Sequence, residues 1–343
     1  MYEDQWATER RRLEKGRHFS GPDGLRPRWR KAVFTRLLDV LGAGLRVTPF
    51  YARGQANALN LRRVELALRL PGLPSSFDGY RILHLSDTHL DVLPELAAVV
   101  RGLLEGAEVD LLAVTGDVHG DHATPVARSA GLLGEALRGI KVTGAQLAIL
   151  GNHDSQAMAD QLMGMGFEVL VNRSVVIRRG DGRLVFTGLD DVNSFYTGAA
   201  RIALDAEVQP AGSDDCRVAL VHSAEMADHA ARAGYALYLA GHTHGGQICL
   251  PGGRPLVTTL RRCRHGAVGL WHEGAMIGYT SAGVGVSHPP VRFNCQGEVA
   301  FITLRLLAAA APNASGLHCR LALLPVPVWA PRLLPDAICG GHR

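Results

Sequence analysis

The first sustained apolar run of the chain, residues 32–51, is broken by Arg36, Asp39 and Arg46. From Val64 onward the period changes. Val64, Leu66, Leu68 and Leu70 alternate with polar positions, which predicts a half-buried strand that Pro71 ends. Residues 81–85 read as a second strand. Leu93, Leu96, Ala97, Val100, Leu103 and Leu104 recur at helical spacing across 92–105. Buried strands are predicted at 111–114 and 146–150, with helices near 124–138 and 155–165. The pattern then turns strand-rich. Asp181-Gly182 fits a hairpin between 175–178 and 184–187, and further strands fall at 217–221, 236–240, 276–279 and 299–304. Strands alternating with helices and then a strand-rich half predict an α/β architecture, an α+β sandwich of two mixed sheets packed face to face with helices outside.

Four segments follow from this pattern: a basic arm over 1–31, the apolar segment 32–61, a domain over 62–307, and a Pro-rich tail over 308–343 outside the fold. The net charge of +4 sits entirely in the arm, whose nine Lys/Arg and five acids leave the remainder neutral. That excess, with the break at Gly21-Pro22-Asp23-Gly24, predicts a disordered arm. A neutral core argues against nucleic acid as a partner. The segment 32–61 suits two readings: a helix lying in an anionic membrane interface, with the arm adding attraction, or a helix covering one edge of the domain. Its charges, and the lack of any run of 18 apolar residues, exclude a clear membrane span. No apolar stretch closely follows Arg10-Arg11-Arg12, which reads against a secretory signal. Six cysteines without regular spacing suit a reducing compartment. The expected location is therefore cytoplasmic, with peripheral attachment to the inner membrane as the variant that the apolar segment allows.

Five polar clusters each follow a predicted apolar strand, where ligands bind in open α/β sheets. They are Asp87-Thr88-His89, Gly116-Asp117, Gly151-Asn152-His153-Asp154, His222, and Gly241-His242-Thr243-His244-Gly245-Gly246. Carboxylate, imidazole and amide oxygen together suit Mn²⁺, Fe²⁺ or Zn²⁺. Without His153, seven ligand candidates remain, too many for one tetrahedral ion and suited to two ions sharing a carboxylate. The i, i+2 spacings of Asp87/His89 and His242/His244 send two ligands to one side of a strand end. Each cluster alone is a weak signal; the set in this order points to a dinuclear centre. His119, Asp121 and His122 read as either cleft or solvated loop. Asp190, Asp191 and Asn193 read as turn chemistry. Asp154 reads equally as an orienter of His153 or as a helix N-cap. The basic loop 254–265, with Arg254 and Arg261, suits a phosphate or anionic-lipid contact or a solvated loop.

In that order the clusters resemble the calcineurin-like metallophosphoesterase superfamily over roughly residues 62–306. The longer run Gly241 to Gln247, with Gly283-Val284-Gly285 and Arg292-Phe293-Asn294, resembles its bacterial membrane-associated branch. Members of that branch or of groups close to it cleave the pyrophosphate of UDP-2,3-diacylglucosamine in lipid A synthesis. The resemblance implies that Asp87, His89 and His244 hold one ion, that Asn152, His222 and His242 hold the other, and that Asp117 bridges them. The expected ions are divalent, manganese foremost, with iron or zinc as other occupants. His153 would face the leaving group. Independently of the resemblance, the positions of His119, Arg254 and Arg261 make them the candidate substrate contacts. Gly116-Asp117-Val118-His119-Gly120-Asp121 departs from the Gly-Asp-x-x-Asp-Arg-Gly of Ser/Thr protein phosphatases, which argues against a phosphoprotein substrate. The implied reaction is hydrolysis of a phosphodiester or pyrophosphate by a hydroxide between two ions roughly 3.5–4 Å apart. The implied substrate is a lipid-linked nucleotide. The alternatives are a soluble nucleotide or nucleic-acid phosphodiesterase and a non-catalytic metal-binding scaffold. Because the constellation closes within 87–244, residues 1–60 are expected to be dispensable for chemistry.

Overall fold

Two six-stranded sheets face each other in a computed structural model that describes residues 2–206 and 215–307. The tail expected over 308–343 lies outside the described residues. In chain order the elements are helix α1 (Tyr2–Lys15), strands β1 (His18–Gly21) and β2 (Gly24–Pro27), helices α2 (Arg28–Arg46) and α3 (Pro49–Leu59), and strands β3 (Arg62–Leu70) and β4 (Arg81–Leu85). Next come α4 (Leu96–Leu104), β5 (Glu108–Val109), β6 (Leu111–Thr115), α5 (Val126–Ala136), β7 (Lys141–Val142), β8 (Gln146–Ile149), α6 (Gln156–Gly164) and β9 (Glu168–Val169). The second half holds β10 (Arg173–Arg179), β11 (Gly182–Gly188), α7 (Gly198–Ala206), β12 (Cys216–Leu220), α8 (Ala227–Arg232), β13 (Leu237–Ala240), β14 (Gly269–Glu273), β15 (Met276–Thr280) and β16 (Glu298–Leu306).

The first sheet has the order β3-β16-β4-β6-β8-β9, and the second β10-β11-β12-β13-β15-β14. Both are mixed. β4, β6, β8 and β9 run parallel while β16 joins β4 antiparallel; β11, β12, β13 and β15 run parallel between the antiparallel edges β10 and β14. The central strands are buried on both faces, which is why Leu111 to Val114 reads as an unbroken apolar run. On β3 only Leu68 and Leu70 are fully buried, matching the alternation seen in its sequence. One core lies between the sheets, where Phe77, Ile82 and Ile149 meet Phe186, Val218 and Leu239. A second packs α4, α5 and α6 on the outside of the first sheet, and a third packs α7 and α8 on the second. The layers are therefore helix, sheet, sheet, helix, as the sequence predicts. The short helices α7 and α8 and the edge strand β14 are additions that its periodicity does not show.

The arm corrects an expectation. Residues 2–27 form α1 and the β1–β2 hairpin, in the same compact unit as the sheets, and are not a disordered tail. Ser20 bonds the backbone of Ser194 and Tyr196, Trp6 Nε1 donates to Asp190, and Arg10 is buried. Charge excess alone predicts disorder; here partners far along the chain supply the burial.

The two helices of the segment 32–61 differ in what they cover. α3 covers an edge, with Ala58 buried and Gly54 so close to Val291 and Phe293 that a Cβ would collide with them. α2 instead turns Leu37 (64% exposed), Val40 (72%) and Leu41 to the outside. Among the described residues no helix is long and apolar enough to cross a membrane.

Candidate metal centre

The carboxyl ends of β4, β6, β8, β12 and β13 converge, so the five polar clusters meet in one place. Asp87, His89 and His244 form one group of ligand atoms and Asp117, His222 and His242 another, each with its atoms within 4.8 Å of one another. Asp117 lies between the groups: its Oδ2 is 3.2 Å from His222 Nε2 and 3.6 Å from His89 Nε2. His244 Nε2 is 3.5 Å from Asp87. His242 turns Nε2 to Thr259 and Asn193 and Nδ1 to His222 Nε2, so Nδ1 is the nitrogen on the ligand side.

The backbone is forced into place. Asp87, His89, Asp117, His242 and His244 all have positive φ, between 36° and 74°, a region that non-glycine residues rarely adopt and that clusters at functional sites. Glycine at 151 and 241 allows the strand ends to close: a Cβ at Gly151 would strike the Asp117 carboxylate, and one at Gly241 would strike Ser86 and Asp87. Asp154, read from sequence as an orienter or a cap, does something else. Its buried carboxylate accepts the backbone N–H groups of Asp117 (2.7 Å), Val118 (3.0 Å), His119 (2.9 Å) and Gly151 (2.9 Å), tying two ligand loops together. Arg292, also buried, donates to the carbonyls of His244, Ala282, Gly283 and Gly285. It thereby ties the backbone of 282–285 to the loop that carries His244.

Outer contacts fix the imidazoles. His89 Nδ1 meets the His119 carbonyl at 2.9 Å and His222 Nδ1 the Thr115 carbonyl at 2.8 Å, directing each Nε2 into the cluster. His89 Nε2 and Asn152 Oδ1 are buried there without a hydrogen-bond partner among the described residues. Buried polar atoms are seldom left so, and two nitrogen- and oxygen-donor sets with such atoms aimed inward fit divalent cations. Charges shift accordingly. Burial pushes the Asp87 carboxyl up. Burial also acts upward on Asp117, but His222, His153 and His89 outweigh it and hold its pKa well below the usual carboxylate range. His222 is held well above the ordinary imidazole value by Asp117, Asp87 and Asp191 despite its burial. Burial, His89 and Arg292 push His244 well below it.

The cluster opens into a cleft of about 510 Å³ lined on the ligand side by Asp117, Asn152, His153, His242 and His244. The facing wall comes from the arm and α2: Phe19, Pro27, Phe34 and Leu38, with Arg26 and Arg261 also lining it. His122, stacked on His153 with centroids 5.4 Å apart, lies in the cleft. Of the three expected substrate contacts, only Arg261 reaches it. His119 is buried behind the site with Nε2 on the Thr124 carbonyl, and Arg254 is exposed, its backbone closing a turn with Leu250. Asp191 makes the expected turn by accepting the N–H groups of Asn193 and Ser194, and the Asn193 side chain also touches His242, a contact visible only in three dimensions.

Residues 80–246 match the calcineurin-like phosphoesterase family. The chain is 30% identical over 260 residues to the uncharacterized metallophosphoesterase YkuE of Bacillus subtilis, covering 71% of this chain and 86% of that one. It is 28% identical to the uncharacterized metallophosphoesterase YkoQ of the same organism (78% and 99% covered) and 25% identical to phosphodiesterase YaeI of Escherichia coli (66% and 82%). With two donor groups at the strand ends and relatives matched along most of their length, the chain belongs to the calcineurin-like phosphoesterases and is a metal-dependent phosphoester hydrolase.

Proposed function

We propose that the chain hydrolyses a phosphodiester or pyrophosphate bond in a lipid-linked, nucleotide-like substrate at an anionic membrane surface, the substrate class that its sequence resemblance implies. One observation carries this reading: Phe19, Pro27, Phe34 and Leu38 give the cleft an apolar side, interrupted by Thr35 and Asp39, that is built partly by α2, the helix that also presents Leu37, Val40 and Leu41 to the outside. A helix with apolar residues outward and exposed Arg36 and Arg46 along it suits a lipid interface. Phe19, Phe34 and Leu38 would then meet the apolar part of the substrate while its phosphates face the cluster, with Arg261 and the half-buried Arg26 as anion contacts.

Within the site, Asp87, His89 and His244 would hold one ion, Asn152, His222 and His242 the second, and Asp117 both. Two divalent ions, manganese foremost, would supply Lewis-acid polarisation of the phosphoryl oxygens and a water acidified towards neutral pH. His153 is held beside the cluster by its backbone N–H on Asp117 Oδ1 at 2.8 Å and by its ring against His89. As an imidazolium it would protonate the departing oxygen, help typically worth ~10²–10⁴-fold.

The test is a hydrolysis panel with Mn²⁺ comparing bis-p-nitrophenyl phosphate, p-nitrophenyl phosphate and UDP-diacylglucosamine, with sedimentation on vesicles of anionic lipid. Preferred cleavage of the lipid-linked compound and salt-sensitive vesicle binding are expected. Turnover of the diester alone, with no binding to vesicles, would favour a soluble nucleotide phosphodiesterase; the Escherichia coli relative is named a phosphodiesterase.

A further inference from the structure

We propose that α1 is a clasp on the ligand loops and that Arg10 is a positioning residue for Asn152 and His153; this rests on the ligand roles given above and reaches beyond them to the arm. Arg10 is 1% exposed, although it comes from the most highly charged stretch of the chain. A guanidinium taken out of water is tolerated only where its N–H groups meet acceptors. Each nitrogen here has one. Nε lies 3.1 Å from Glu14, Nη1 donates to the Asp190 carboxylate, and Nη2 donates to the carbonyls of Gly151 (3.3 Å) and Asp154. Its face covers the ring of Phe195 at 3.6 Å. Glu14 in turn accepts the N–H of Gln156 at 3.1 Å, and Trp6 donates to the other oxygen of Asp190 at 2.9 Å.

The positions of these acceptors give Arg10 its role. Asn152 and His153 lie between the two carbonyls that Nη2 holds, so the guanidinium brackets them. Asp190 opens the loop that delivers Asn193 to His242. One rigid fork thus joins the loop carrying Asn152 to the loop that supports His242. Both belong to the second ligand group, and Arg10 bonds neither Asp87, His89 nor His244. A planar fork with fixed donors does this where an ammonium would not. If the arm merely sealed the surface, its loss would weaken both ion sites alike. A clasp on these two loops acts unequally: directly on Asn152 and the support of His242, and on the other ion's ligands only through Asp154 and the shared Asp117.

The full-length, metal-stripped protein is titrated with Mn²⁺, following free Mn²⁺ by electron paramagnetic resonance, for the wild type, Arg10→Gln and Arg10→Lys. The wild type is expected to take up two ions. In Arg10→Gln one affinity should fall about 10–100-fold, the usual effect of removing a group that orients metal ligands, and the other by distinctly less. With bis-p-nitrophenyl phosphate, kcat should fall with little change in KM, and Arg10→Lys should recover only part of the loss. Glu14→Gln, which leaves the fork itself in place, should show the same asymmetry more weakly and keeps the test decisive if Arg10→Gln does not fold. Equal weakening of both sites, or wild-type affinity at both, overturns the clasp. A wild type that binds fewer than two ions overturns the ligand roles beneath it, and the proposal with them. Failure to hydrolyse any lipid-linked compound bears on the proposed substrate and leaves the titration to decide.

Discussion

Asp154→Asn keeps the size and shape of the side chain and removes half of its accepting capacity. In the wild type one carboxylate oxygen takes the N–H groups of Asp117 and Gly151, and the other takes those of Val118 and His119. An amide presents one oxygen and one NH₂, so whichever pair of N–H groups faces the NH₂ loses its acceptor. Two buried donors left unmet cost about 1–3 kcal/mol each, so the gross loss is about 2–6 kcal/mol. Part of that is offset, because burial and the neighbouring Asp117 already disfavour the charged form of Asp154 and raise its pKa. A net loss of about 3 kcal/mol remains, and at about 2–4 °C per kcal/mol the melting temperature should fall by about 6–12 °C. Function should suffer more than stability, since the broken bonds hold Asp117 and the start of the Asn152 loop. Metal affinity or turnover should drop about 10–100-fold. Differential scanning calorimetry, metal counting after dialysis and turnover of bis-p-nitrophenyl phosphate measure the three effects. A melting shift smaller than about 2 °C together with two tightly held metals would refute the role of Asp154 as the tie between the loops.

Much of this centre can be read from sequence because strand ends advertise themselves. Leu111 to Val114 is apolar since both faces of β6 are covered, and Gly116-Asp117 follows at once where the chain leaves the sheet. The same logic exposes Asp87, His89, Asn152, His222, His242 and His244. What sequence does not give is contact between distant segments. Arg10 meets Asp190 across 180 residues and looks like one more charge in a basic arm. Asn193 meets His242 across 49 and looks like a turn residue. Proximity in sequence misleads as well: His119 is two residues from Asp117, yet its ring points back to the Thr124 carbonyl. The positive φ angles at the ligands leave only a faint mark, because aspartate and histidine adopt them far less often than glycine does. The arm's contribution of Phe19 and Arg26 to the cleft is likewise a contact that the sequence does not show.

Replacing Asp117 with Asn removes the charge lying between the two ligand groups; both metals and turnover should be lost while the sandwich still folds, and retention of two metals with near-native turnover would refute the shared position. His153→Ala should keep two metals yet slow the reaction, more for alkoxide than for p-nitrophenolate leaving groups; equal losses would limit His153 to positioning phosphate. The last prediction concerns the protein stripped of metal by a chelator. The folded-state pKa of His222 is held well above 6.5 because Asp117, Asp87 and Asp191 outweigh the opposing effect of burial. A raised pKa means that the folded state binds the proton more tightly than the unfolded chain does. The resulting stability is complete below the unfolded value and is lost as pH rises through the folded one, so the stripped protein should melt at progressively lower temperature from about pH 7 upward. Asp117, held well below its usual range, adds nothing to this slope, because its stabilisation is fully present above the unfolded carboxylate value. The Mn²⁺-loaded protein should show the opposite trend at the onset of this range, since a ligating imidazole must be neutral and binding gains as protons leave. His222→Asn should flatten the first slope. A stripped wild type whose melting temperature stays level or rises between about pH 7 and 9 would show that His222 and Asp117 do not form a charged pair.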